Sequence, residues 1–211
     1  MTERKLTPRA EFDKALASHA PGFGVRLDEE TRRRLGDYFE LVARWNPRLH
    51  LVAPCPPAEF ATRHVLESLT ALPFIHAGAT VLDVGSGAGL PAIPCLVARQ
   101  DLKAVLVESS QKKAVFLREA LSRLGLSERA RVVAERFEKV DPPAAAYLTC
   151  RAIERFAEIL PSLVAWSVYV PTLLLFGGEG LREPLENQGL PFEMFRVPES
   201  ERRFLFVAHR P

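Results

Sequence analysis

From Val81 to Glu108 the chain reads VLDVGSGAGLPAIPCLVARQDLKAVLVE, and no other stretch restricts the possible folds so tightly. Val81, Leu82 and Val84 form a run too short and too continuous for an amphipathic helix, and glycines follow at once, which predicts a buried parallel strand. Gly85, Gly87 and Gly89 supply the turn out of it, because a residue without Cβ takes positive φ and lets another molecule lie against the backbone. From Leu90 a helix is expected, with Pro91 and Pro94 in its first turn, where the amide hydrogens have no partner inside the helix. Ala104 to Val107 then make a second strand, with Glu108 at its carboxyl end.

Strand, glycine turn, helix, strand and acid is an arrangement that binds a nucleoside at the edge of a doubly wound sheet, the terminal acid accepting from the ribose hydroxyls. Dinucleotide sites use G-x-G-x-x-G with a pyrophosphate on the helix N-terminus. Here the spacing is G-x-G-x-G, and Asp83 stands two residues before the first glycine. An anion beside Asp83 is repelled, whereas a cation is attracted. S-adenosylmethionine carries a sulfonium, an ammonium and a ribose, so it suits this turn better than a nicotinamide dinucleotide.

At 211 residues, 47% of them hydrophobic and 26% charged, the chain can bury a sizeable core as one domain with an added subdomain. No apolar run approaches a membrane span and no signal-peptide core follows Met1 to Lys5, so a cytoplasmic location is expected. Cys55, Cys95 and Cys150 are odd in number and far apart, which argues against a disulfide framework or a zinc site. The net charge of +2 is too small to announce a nucleic-acid partner, although Arg99 to Arg136 holds nine Lys or Arg against five acids.

Residues 1–76 are expected to form a helical subdomain and 77–211 the nucleoside-binding domain. Phe12, Ala15, Leu16 and His19 share one helical face, ended by Pro21-Gly22. A second helix follows Asp28 with Leu35, Tyr38, Phe39, Val42 and Trp45 inward, stopped by Asn46-Pro47. A third spans Ala58 to Leu72. Beyond Glu108, a helix from Gln111 to Leu124 should turn Val115, Phe116 and Leu121 inward. Strands follow at Arg131–Ala134, Ala145–Cys150, Thr172–Phe176, Glu193–Val197 and Phe204–His209, with helices near Ile153–Trp166 and Glu179–Gln188. The alternation predicts an α/β doubly wound, mostly parallel seven-stranded sheet.

Three further stretches carry a resemblance: Arg44-Trp45-Asn46 with Arg63-His64-Val65-Leu66-Glu67-Ser68, the run Asp83 to Pro94, and Cys150-Arg151-Ala152. Together they are similar to the RsmG (GidB) family, bacterial methyltransferases acting on a guanine N7 of the small-subunit 16S ribosomal RNA. Departures stand at His50, Val52, Gly177 and Phe204, where the family usually has asparagine, threonine, lysine and histidine. The resemblance implies a Rossmann-like fold of class I, with S-adenosylmethionine as cofactor and 16S rRNA or the small subunit as partner. It implies neither a metal nor a membrane, and a monomer is favoured.

Asp83, Gly85, Gly87 and Gly89 would then hold the methionine part of the cofactor and Glu108 the ribose. Leu90, Phe137 and Glu138 would flank it, and Arg151 would face the methionine end or the incoming guanine. Guanine N7 has its own lone pair, so no general base and no catalytic side chain is expected. Arg63, His64, Lys112, Lys113, Arg118 and Arg123 are the candidate RNA contacts. Three rivals remain open: a covalent mechanism through Cys150, a small-molecule methyltransferase, and a ribosome-associated cofactor-binding protein without activity.

Overall fold

The computed structural model describes residues 6–151 and 156–210. Ala152 and the expected start of a helix at Ile153 lie outside the described residues. Seven strands form one sheet: β1 (Thr80–Val84), β2 (Lys103–Val107), β3 (Ala130–Val133), β4 (Tyr147–Arg151), β5 (Thr172–Gly177), β6 (Phe192–Arg196) and β7 (Phe204–His209). Their order is β3-β2-β1-β4-β5-β7-β6, with β7 antiparallel to both neighbours and the first five strands parallel. The winding reverses between β1 and β4, and a crevice opens at the carboxyl ends of strands at such a reversal.

Helices cover both faces. On one lie α1 (Pro8–His19), α2 (Glu29–Leu49), α3 (57–69), α4 (Ala92–Ala98) and α5 (Gln111–Arg123), all in one apolar core with Val81, Ala104 and Leu174. On the other, α6 (Phe156–Trp166) and α7 (Arg182–Glu186) pack on Leu82, Val84, Leu148 and Cys150. Because strand side chains alternate, Val81 and Asp83 point to the first face and Leu82 and Val84 to the second.

Three expectations on helix detail are corrected. Pro47 does not stop α2, which runs on to Leu49 and ends where His50 takes φ +47° and its N–H reaches Asn46 O at 2.9 Å. A proline in the last turn forfeits one helical hydrogen bond, which the packed stripe of α2 outweighs. Val115 is 52% exposed; the inward residues of α5 are Ala114, Phe116, Leu117, Ala120 and Leu121, and position 115 lies on the opposite side of the helix from Leu117. Finally, α3 is not a uniform helix from Ala58 to Leu72. It consists of Pro57–Glu59, a π-helical stretch Phe60–Leu66, and Glu67–Leu69.

Candidate active site

The turn after β1 is held by backbone. Gly85, Gly87 and Gly89 take φ of +70°, +53° and +86°, and the N–H groups of Gly85 and Ser86 both donate to Val107 O of β2, at 2.9 and 3.2 Å. A Cβ on Gly87 would meet no protein atom closer than Gly85 O at 3.7 Å, so its missing side chain leaves open space. Gly89 differs, since a Cβ there would run into the Ile93 side chain. Its bareness serves helix packing. From α2, the buried Tyr38 hydroxyl donates to Ala88 O at 2.8 Å and pins the turn from behind.

Glu108 closes this wall. Its Oε2 accepts from Gly87 N at 2.8 Å and its Oε1 from Ser110 N at 2.7 Å, which fixes the carboxylate at the rim of the glycine turn. Asp83 is fully buried, with Oδ1 accepting from Thr149 Oγ1 at 2.7 Å and Oδ2 without a hydrogen-bond partner. Burial pushes its carboxyl up to about 7, against the pull of the Thr149 hydroxyl. An orphaned acidic oxygen of this kind is satisfied by a neighbouring positive charge.

In front of this wall lies a cleft of about 1010 Å³, at the upper end of the range for small-molecule sites. Gly85, Gly87, Leu90, Glu108, Phe137 and Glu138 line it, whereas Asp83 sits just behind its wall and Gly89 off it. The Phe137 ring is held edge-on against Trp166 at 5.3 Å. Of the candidate RNA contacts, Arg63, His64 and Lys113 reach the cleft. Lys112, Arg118 and Arg123 lie outside it on the exposed side of α5, and Arg123 pairs with Glu119 at 2.8 Å. His50, Val52 and Gly177, three of the four departures, also line the cleft.

The far wall is built from charge. Arg151, at the end of β4, is spent on α3: Nη1 donates to His64 O (3.1 Å) and Ser68 Oγ (3.2 Å), and Nη2 to Arg63 O (2.6 Å). Displaced hydrogen bonding in a π-helical stretch leaves carbonyls that need donors, and here a guanidinium supplies them. Glu67, 3% exposed, balances it at 3.3 Å and also meets Arg203 Nε at 2.7 Å, out of line for a hydrogen bond. Sequence reasoning missed Ser86, Thr149, Tyr38, Glu67 as an ion-pair centre, and Arg203. Glu67 and Ser86 left a signal, standing inside the stretches that carry the resemblance, and Thr149 directly precedes Cys150-Arg151. Cys150 is fully buried and its thiol is pushed well up by burial, the opposite of an activated nucleophile. No group of metal ligands occurs among the described residues, and no described helix is long and apolar enough to cross a membrane.

Solved methyltransferases share this fold. A SAM-dependent methyltransferase from Aquifex aeolicus aligns over 67% of this chain and 88% of its own with TM-score 0.54 at 18% identity. The METTL16 MTase domain aligns over 93% and 91% with TM-score 0.58 at 13% identity. The fold is therefore that of the Rossmann-like, class I SAM-dependent methyltransferases. Within that class the chain belongs to the rRNA small subunit methyltransferase G (GidB) family, whose profile matches residues 31–172. Relatives bearing that name include one from Xanthomonas campestris, 46% identical over 135 residues, covering 64% of this chain and 63% of its own length. Another, from Sorangium cellulosum, is 38% identical over 187 residues, covering 85% and 76%. The chain thus spans a little under two thirds of the Xanthomonas relative.

The residues present fit S-adenosylmethionine. A glycine-lined wall with Glu108 at its rim and the buried Asp83 behind it suits a cationic ligand, Glu108 suits ribose hydroxyls, and Leu90, Val107 and Phe137 offer apolar surface to a base.

Proposed function

We propose that this protein transfers a methyl group from S-adenosylmethionine to N7 of a guanine in 16S ribosomal RNA, within the cytoplasm. The observation that carries the reading is the cleft itself: one wall acidic and glycine-lined, the other rich in arginine, with room for a cofactor and a nucleotide side by side. Bound S-adenosylmethionine supplies an electrophilic methyl on a positively charged sulfur.

The chain's own residues bind and align. Glu108, fixed by two backbone N–H groups, is ready to accept from both ribose hydroxyls. Gly85 and Gly87 let the ligand lie on backbone, Leu90, Phe137 and Glu138 flank it, and Asp83 favours its positive end from behind the turn. Gly89 contributes by packing, and Arg151 by holding α3 in place. Arg63 and His64 on the far wall and Lys113 beside Glu108 on the near one are the nearest contacts for RNA, with Lys112 and Arg118 able to meet only phosphates further out and Arg123 paired with Glu119 instead.

Guanine N7 attacks with its own lone pair, so no proton has to leave the nucleophile and no base is needed. Rate enhancement then comes from orientation and from the electrostatics of the walls. The target nucleotide must leave its stack to enter a cleft of this depth. The test is transfer of labelled methyl into small ribosomal subunits from a strain lacking the modification. The expected product is N7-methylguanosine in 16S RNA. Label in 5-methylcytosine would point instead to a thiolate mechanism, and label only in small molecules would remove RNA as substrate.

A further inference from the structure

The π-helical stretch of α3 holds one group whose chemistry is set by its neighbours. Arg151 Nη2 lies 3.1 Å from His64 Nδ1. A guanidinium has donors and no acceptor, so Nδ1 must present its lone pair, and the single proton of the neutral ring sits on Nε2. Arg151 cannot turn away, because its contacts with the carbonyls of Arg63 and His64, with Ser68 and with Glu67 hold it on four sides.

A second proton on this ring is disfavoured. Burial comes first, then the positive charges of Arg151, Arg63 and Arg203, and together they push the imidazole down to about 3; Glu67 is the acid of the same cluster, already shared by Arg151 and Arg203. The ring packs against Phe60, with centroids 5.1 Å apart, and lines the cleft, while Nε2 meets no hydrogen-bond partner among the described residues. The ring that lines the cleft is therefore neutral, with its one N–H on Nε2, the nitrogen that Arg151 does not meet.

Resting on the guanine-N7 reading above, we propose that His64 is a specificity-determining residue, its Nε2–H donating to O6 of the target guanine, the acceptor beside N7. Guanine shows two acceptors, N7 and O6, on that edge, whereas adenine shows N7 and an amino donor. A neutral donor welcomes O6, faces the adenine amino group donor to donor, and adds no positive charge beside a base that becomes cationic when N7 is methylated. An arginine in the same place would oppose that charge, and here the nearest guanidinium is spent on α3.

Two measurements on the full chain test this. Nitrogen-15 NMR of the imidazoles should find His64 as the Nε2–H tautomer from pH 5 to pH 8; an Nδ1–H tautomer, or titration inside that range, overturns the proposal. Methyl transfer should then be compared for RNA carrying guanine and RNA carrying 2-aminopurine at the target, which keeps N7 and lacks O6. The wild type should lose about tenfold or more in kcat/KM on that change. His64→Leu should use the two substrates with nearly equal kcat/KM and bind cofactor as the wild type does, and His64→Gln, which restores an N–H donor, should recover part of the discrimination. An unchanged ratio in His64→Leu, or no discrimination by the wild type, sinks the proposal while leaving guanine-N7 transfer intact. A wild type that methylates no guanine at N7 removes the functional reading itself.

Discussion

The wall of the cleft formed by β1 and β2 is made of backbone, whereas the facing wall from α3, β4 and the turn before β7 is made of charged side chains. On the first, three positive-φ glycines and two N–H groups directed at Glu108 do the shaping, and all of it comes from one continuous stretch, Val81 to Ser110. On the second, Glu67, Arg151 and Arg203 meet from three distant parts of the chain. Backbone shape is local and tolerates most changes elsewhere. A buried ion cluster depends on every member, since removing one leaves the others charged and unpaired.

This contrast can be broken by substitution. The largest effect is expected for Glu67→Ala, which strips the carboxylate from two arginines and should cost about 3–5 kcal/mol of stability in urea denaturation; a loss below about 1 kcal/mol would mean the cluster is held by solvent and not by Glu67. Next comes Gly87→Val on the other wall. Here the added side chain meets open space, so the fold should lose only about 1–2 kcal/mol for the left-handed φ, yet cofactor affinity by calorimetry should drop about a hundredfold or more, some 3 kcal/mol. Wild-type affinity in this variant would remove the glycine turn from the site.

Asp83 links the walls to pH. Its folded value of about 7 lies above the ordinary 3.8, so the stability it contributes is fully present below about pH 4 and is lost as pH rises through 7. Compared with Asp83→Asn, the wild type should therefore lose up to about 4 kcal/mol across that window. Affinity for S-adenosylmethionine should move the other way, strengthening as Asp83 ionises; a flat profile would show that the orphaned oxygen does not serve the ligand. The smallest effect concerns salt. Lys113→Ala should reduce the slope of log affinity for RNA against log salt by about 1, whereas Arg123→Ala, off the cleft and paired with Glu119, should leave it unchanged.

The glycine turn and the acid at Glu108 were legible because strand, turn and strand follow one another and the residue types are tied to φ and to charge. The sheet was legible from its alternation of segments, down to Phe204–His209, whose bounds agree with β7. Pro47 misled because a local stop signal was outweighed by the packed stripe of α2, and Val115 because its apolar side chain sits off the axis of the buried face. Arg151 was placed at the site by the family resemblance, but what its guanidinium touches depends on α3, some 85 residues away in sequence. The π-helical stretch left no signature in residue order, and the Arg151 donors that meet its carbonyls come from β4.

The residue order alone determined the glycine turn, the acid beyond the second strand and the alternation that builds the sheet, because each rests on neighbours or on periodicity, and its motifs carried the resemblance to the family. Only the tertiary structure decided that Asp83 is sealed behind the turn with one oxygen unpaired, that Arg151 ties α3 instead of standing free, and which nitrogen of His64 bears the proton. Those properties arise from burial and from contacts between segments distant along the chain, and such contacts exist only once the sheet has brought the segments together.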